Sequence, residues 1–233
     1  MNAIVQSLLI LNLAVVPSPV EAADLRVGVA AADITPPLGI PMAGYYHARG
    51  ADGVLDPLSS KAMVIEADGV KAAFVALDLI SVTREITDQA RAEIEKSTGI
   101  PGAHVMISAT HAHTGPELAG RGKRSGDMGG QRQLSVEYTE GLPARIAESV
   151  RLANERLEPA QLRAAKGRCD DLTFNRRYYL RDGTVGWNPG KLNPNIVMPA
   201  GPSDDEVGIL YAERPGATRS EEHTSELQSR ITI

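Results

Sequence analysis

Two histidines separated by one residue, His111 and His113, follow an apolar run from His104 to Ala109 and open a stretch rich in glycine. On an extended segment side chains alternate with a period of two, so both imidazoles are expected on the same side of a strand end. A His-x-His pair is a compact two-nitrogen metal site. A catalytic zinc centre adds one or two further protein ligands and keeps a position open for water. The other reading of the same residues is a pair of imidazoles hydrogen-bonded at a sheet rim. Of the remaining histidines, His104 is expected to be structural. His47 sits beside Tyr45 and Tyr46 in a loop, where it either lines a site or stays at the surface. His223 falls in a charged tail and is set aside as a ligand. Asp78 ends an apolar segment, where it can orient a ligand histidine or cap a turn.

The elements that must hold these residues follow from periodicity and turn chemistry. Leu25 to Ala31 loosely alternates and stops at Asp33-Ile34-Thr35-Pro36-Pro37, a strand running into a rigid turn. Lys61 to Ala67 and Val70 to Ile80 read as strands joined through Asp68-Gly69, a strong hairpin signal. Thr83 offers an N-cap, Ile86, Ala90 and Ile94 recur at helical spacing, and Gly99 with Pro101 ends the helix. His104 to Ala109 is a second buried strand. The glycine-rich stretch then reaches about Leu134, a length that points to a working loop or to disorder. Pro143 to Arg156 predicts a second helix. Short strands are expected near Gln161 to Lys166, Thr173 to Leu180 and Val207 to Ala212, with an Arg181-Asp182-Gly183 turn. Strands alternating with helices, one pair joined by a hairpin, predict an α/β fold: a single layered domain whose mixed sheet has flanking helices.

Composition narrows the function classes. The 233 residues are 42 % hydrophobic and 23 % charged, as expected of one folded domain. The formal charge is -5 and no basic cluster is present, so nucleic acid is not an expected partner. Cys169 is the sole cysteine, which excludes an internal disulfide and a cysteine-built zinc cage. Residues 1–22, with an apolar run from Ile4 to Val16 and a Val20-Glu21-Ala22 step, read as a signal peptide, so a secreted or periplasmic location is expected. Residues 219–229, Arg-Ser-Glu-Glu-His-Thr-Ser-Glu-Leu-Gln-Ser, resemble the in-frame translation of a sequencing adapter. On that reading residues 219–233 are an artefactual or disordered tail, the natural gene continues past Thr218, and residues 23–218 are an incomplete domain.

Four segments together carry a family resemblance: Asp33-Ile34-Thr35-Pro36-Pro37-Leu38-Gly39-Ile40-Pro41-Met42-Ala43-Gly44-Tyr45, Asp56-Pro57-Leu58, Leu77-Asp78-Leu79, and Ser108-Ala109-Thr110-His111-Ala112-His113-Thr114-Gly115-Pro116. Their order and spacing, spread over about residues 25 to 211, resemble the N-terminal domain of the neutral/alkaline non-lysosomal ceramidases. The resemblance implies a zinc-dependent amidase that cleaves an N-acyl amide such as ceramide into a fatty acid and a sphingoid base. It implies that His111 is the first zinc ligand and that His113 contacts the metal's water or the substrate. Asn175-Arg176 resembles the family's Asn-Arg step, whose arginine, here Arg176, faces the active site. The family's second zinc histidine, a glutamate, a tyrosine and an active-site serine fall beyond Val207 to Ala212. A fragment with half a metal site is therefore expected to be inactive. The expected partner is a lipid or other N-acyl amide, with transient contact at a membrane surface allowed for and the oligomeric state left open. Two other readings of the residues are a metallo-β-lactamase-like hydrolase, which also uses a strand followed by His-x-His, and an exported binding module that uses its glycine-rich loop without metal.

Overall fold

The computed structural model describes residues 24–170 and 173–215; the expected signal peptide, residues 1–22, and the adapter-like residues 219–233 lie outside them. The chain begins with β1 (Arg26–Asp33), β2 (Ser59–Ala67) and β3 (Val70–Leu77), then α1 (Arg84–Thr98) and β4 (Val105–Ala109). These strands and a two-residue strand, β5 (Glu158–Pro159), form one sheet in the order β4-β3-β2-β1-β5. β2 pairs antiparallel with both β1 and β3, whereas β3 and β4 run parallel through the α1 crossover. The sheet is therefore mixed, and the turn between β2 and β3 falls at Asp68-Gly69 as its sequence demands.

α1 matches its sequence signals closely. The Thr83 side chain accepts the Ile86 amide at its start, and the Gly99 amide returns to the Glu95 carbonyl at its end. Ile86, Ala90 and Ile94 form its buried stripe. After β4 come the short α2 (Lys123–Ser125) and a wide turn, Gly126–Gly130, which lead directly into α3 (Gln133–Glu155). α3 starts ten residues ahead of the expected Pro143, and Pro143 lies inside it. An interior proline removes one backbone bond and disfavours the helix by about 3 kcal/mol, so the first turns need tertiary support. That support is present: the buried Tyr138 hydroxyl donates to the Ile34 carbonyl at 2.6 Å, Thr139 Oγ1 accepts the Ala119 amide at 2.9 Å, and Leu142 is fully buried. α3 crosses β1 so closely that a Cβ on Gly28 would stand 2.0 Å from the Ala153 carbonyl oxygen. The helix is also joined to β2 by a buried 2.9 Å hydrogen bond between Ser60 and Ser149.

The core lies between this sheet and the two helices, with Ile34, Val64, Val75, Leu77, Ile94 and Ile146 among its buried residues. Two smaller sheets follow. β6 (Gln161–Arg168) pairs antiparallel with β10 (Glu206–Glu213), and β7 (Arg177–Leu180) lies between β8 (Val185–Trp187) and β9 (Ile196–Pro199). The strand expected from Thr173 begins only at Arg177, because the Asn175 side chain accepts the Arg177 amide at 2.9 Å and makes a turn of the preceding residues. β8 and β9 had no hydrophobic alternation to announce them. No helix among the described residues is long and apolar enough to cross a membrane.

Candidate metal centre

Beyond the end of β4 the chain stays attached to the end of β3 and the residues that follow it. Thr110 donates its amide to the Leu77 carbonyl at 2.9 Å, and Ala112 donates to the Leu79 carbonyl at 3.1 Å. On its other side the segment meets the long β1–β2 loop: the Ala43 amide donates to the Gly115 carbonyl at 2.9 Å, and the Glu117 amide donates to the Pro41 carbonyl at 2.7 Å. Met42 and Pro116 complete this contact as a β-bridge. Residues 110–117 are thus clamped from both sides. Gly115, Pro116, Glu117 and Leu118 are buried behind two exposed imidazoles.

His111 and His113 come together, but not by strand alternation. β4 ends at Ala109, and His111 takes the left-handed conformation with φ of 62°. What orients the rings is local hydrogen bonding. His111 Nδ1 lies 2.9 Å from the Ile80 carbonyl oxygen and donates to it, which in the neutral ring leaves the Nε2 lone pair facing out. His113 Nε2 stands 3.3 Å from His111 Nε2, with the rings edge-to-face. Two nitrogens on one tetrahedral zinc, with Zn–N bonds of about 2.0–2.1 Å, stand about 3.3–3.4 Å apart. The separation of the pair fits such an ion. Among the described residues no third histidine, cysteine, aspartate or glutamate joins them in a group suited to a metal.

The other candidate residues have separate fates. Asp78 turns towards β2: its Oδ2 accepts the Ser59 amide at 2.9 Å and stands 3.8 Å from Lys61 Nζ. It caps the strand end, and the carbonyl of Ile80 takes the orienting role instead. His104 packs its Nδ1 at 3.0 Å from the Lys71 carbonyl, a structural contact. His47 is exposed at the loop tip, its ring centroid 6.5 Å from that of Tyr45. Arg176 precedes β7 with an exposed side chain; its carbonyl accepts the Asn188 amide, and its guanidinium is hydrogen-bonded to neither histidine.

Sequence reasoning passed over Glu117. Its buried carboxylate is 2.6 Å from Arg121 Nη1 and 3.1 Å from the Ser125 hydroxyl, which itself lies 2.8 Å from the Leu118 carbonyl. This ion pair and the Ser125 contact fold the start of the glycine-rich stretch back onto Glu117. An acid four residues before an arginine, directly after Gly-Pro, was the available signal. At the end of β1, Asp33 is held below the usual carboxylate range by its hydrogen bonds from Thr35, which fix the turn leading out of the strand.

The sequence pattern of the N-terminal domain of neutral/alkaline non-lysosomal ceramidases matches residues 25–182. No curated protein matches the chain. Solved structures similar to the chain include two ceramidases. The neutral ceramidase from Pseudomonas aeruginosa has a TM-score of 0.57 and 23% identity, over 83% of this chain and 30% of that one. A ceramidase complexed with C2 has a TM-score of 0.58 and 23% identity, over 83% of this chain and 29% of that one. At that identity the likeness is one of fold, and the chain spans less than a third of the length of either structure.

Proposed function

The chain belongs to the neutral/alkaline non-lysosomal ceramidase family, and from that membership we propose that it carries part of the active site of a zinc-dependent hydrolase acting on the N-acyl bond of a ceramide-like lipid. The reaction breaks the amide C–N bond of the substrate with water, the acyl carbon taking the hydroxyl and the departing amine the proton. A bound zinc supplies two things to such a reaction, a lowered pKa for water and polarisation of the amide carbonyl.

The observation that carries the reading is the 3.3 Å approach of the two Nε2 atoms, one of them oriented by the Ile80 carbonyl. His111 presents a lone pair held in direction by that carbonyl. His113 faces the same point, where its ring either ligates or holds the substrate and its proton. Arg176 is assigned to the active site through the family resemblance, as a cation for developing negative charge. His111 and His113 supply two ligands, and among the described residues no third joins them to make the three that a catalytic zinc normally takes.

The experiment is metal analysis after dialysis combined with an N-acyl sphingosine hydrolysis assay, on this chain, on a chain extended by its natural downstream sequence, and on His111→Ala in the extended form. This chain is expected to bind zinc weakly and to be inactive. The extended chain is expected to hold zinc and hydrolyse the amide, and His111→Ala to lose both. Stoichiometric zinc and activity in this chain alone would overturn the assignment of a half site. Zinc without hydrolysis in the extended chain would reject the substrate class.

A further inference from the structure

The ring of His113 rests on a residue that has no side chain. A Cβ built on Gly44 would stand 2.4 Å from His113 Nδ1, 2.5 Å from its Cγ and 3.0 Å from its Cβ. No carbon tolerates such distances. The atoms approached include the root of the side chain, so a small flex of the ring tip gives no relief and the χ1 rotamer itself would have to change. The backbones are tied together beside the contact, where the Ala43 amide donates to the Gly115 carbonyl and Met42 bridges Pro116, so parting them would break that pairing. Gly44 also has φ of 88°, a conformation that disfavours any side chain.

We propose that Gly44 is a positioning residue for His113: its bare Cα is the wall that keeps the His113 ring turned towards His111, so that the two Nε2 atoms converge on one ligand. The inference rests on the zinc reading above for the identity of that ligand, and on the coordinates alone for the contact. It extends the site to the β1–β2 loop, an element remote in sequence from the histidines.

The loop supplies its own control. Gly39 has φ of 82°, nearly that of Gly44, but a Cβ there would meet nothing nearer than Leu134 Cδ1 at 4.0 Å. Gly39→Ala and Gly44→Ala therefore share the backbone penalty, and only the second touches a histidine. Zinc affinity of the 233-residue chain is measured by competition with a chromophoric chelator, with a His111→Ala/His113→Ala variant defining the background from other sites. Gly44→Ala is expected to weaken zinc binding by about tenfold or more, as loss of a group that orients a ligand does, down to the level of His113→Ala. Gly39→Ala should remain within about twofold of the parent, the range of an uncoupled site. In the His113→Ala background, Gly44→Ala should have no further effect on zinc.

Denaturant midpoints of the same set test the contact independently of metal. The loss caused by Gly44→Ala should fall to that of Gly39→Ala once His113 is alanine, and a Gly44→Ala chain that fails to fold alone should fold in that background. Equal zinc affinity in Gly44→Ala and Gly39→Ala would overturn the proposal, as would a Gly44→Ala loss that persists without the His113 ring. If this chain binds zinc no better than the double-histidine variant, the zinc comparison of the same substitutions is made in the extended chain, where equal affinity of Gly44→Ala and Gly39→Ala overturns the proposal, and the midpoints decide the contact. Absence of zinc from the extended chain would overturn the zinc reading instead.

Discussion

The Tyr138 hydroxyl donates to the Ile34 carbonyl at 2.6 Å inside the core, and burial pushes its phenol up from the ordinary range, so it stays protonated and keeps donating under all physiological conditions. Tyr138→Phe keeps the ring and strands the carbonyl. A loss of about 1–2 kcal/mol in urea unfolding is expected, the cost of an unsatisfied buried acceptor, and an unchanged midpoint would mean that water replaces the hydroxyl. At this scale the sequence singled out two side chains and missed what surrounds them. His111 and His113 were legible because residue type and spacing are written in the chain. The Ile80 carbonyl was not, since every residue has one, and neither was Gly44, whose partner is decided by how a distant loop docks. Asp78 shows the same limit: its type suits two tasks, and only its neighbour Ser59 selects the capping one.

At the scale of elements, the closest contact is that of β1 with α3, where the Ala153 carbonyl and the backbone of Arg156 and Leu157 crowd Gly28. Backbone atoms cannot rotate away, so Gly28→Ala is expected to cost about 1–3 kcal/mol by overpacking. Equilibrium denaturation measures it, and a neutral result would show that α3 can lift from the sheet freely. α1 was legible at both ends because its caps are side-chain and glycine signals within the element itself. The start of α3 was not, because Pro143 states a local preference that Tyr138, Thr139 and Leu142 overrule through partners outside the helix. The late start of β7 has the opposite cause, a local bond from Asn175 that ends the extended run predicted from composition.

At the scale of the molecule, the buried apolar residues among those described run from Val27 to Ala153, and the two later sheets contribute none to the core. Instead Phe174, Trp187, Leu192 and Met198 lie exposed there. Stability therefore cannot be uniform, since local opening is governed by buried apolar contacts. Native-state hydrogen exchange should find the slowest amides in β1, β2, β3 and α3, while β6 to β10 exchange through openings of much lower free energy. Equal protection throughout would require a source of cooperativity other than the core. The mixed α/β order was legible at this scale, because hairpin and helix signals alternate in the chain. The separation of the later strands into two small sheets was not, because pairing partners such as Gln161 and Glu213 lie far apart in sequence.

The parallel pairing of β3 with β4 has a kinetic consequence. β2 and β3 meet through the tight Asp68-Gly69 turn, whereas β1 and β4 each join that pair only after a long connection has closed, the Gly44 loop for β1 and the α1 crossover for β4, and such non-local closure is slow. His111, the Ile80 carbonyl and the Gly44 loop come into register only after those steps. The imidazole pair is thus a late product of folding, so a metal that binds it acts mainly as a brake on unfolding and contributes little to the nucleus from which the chain folds.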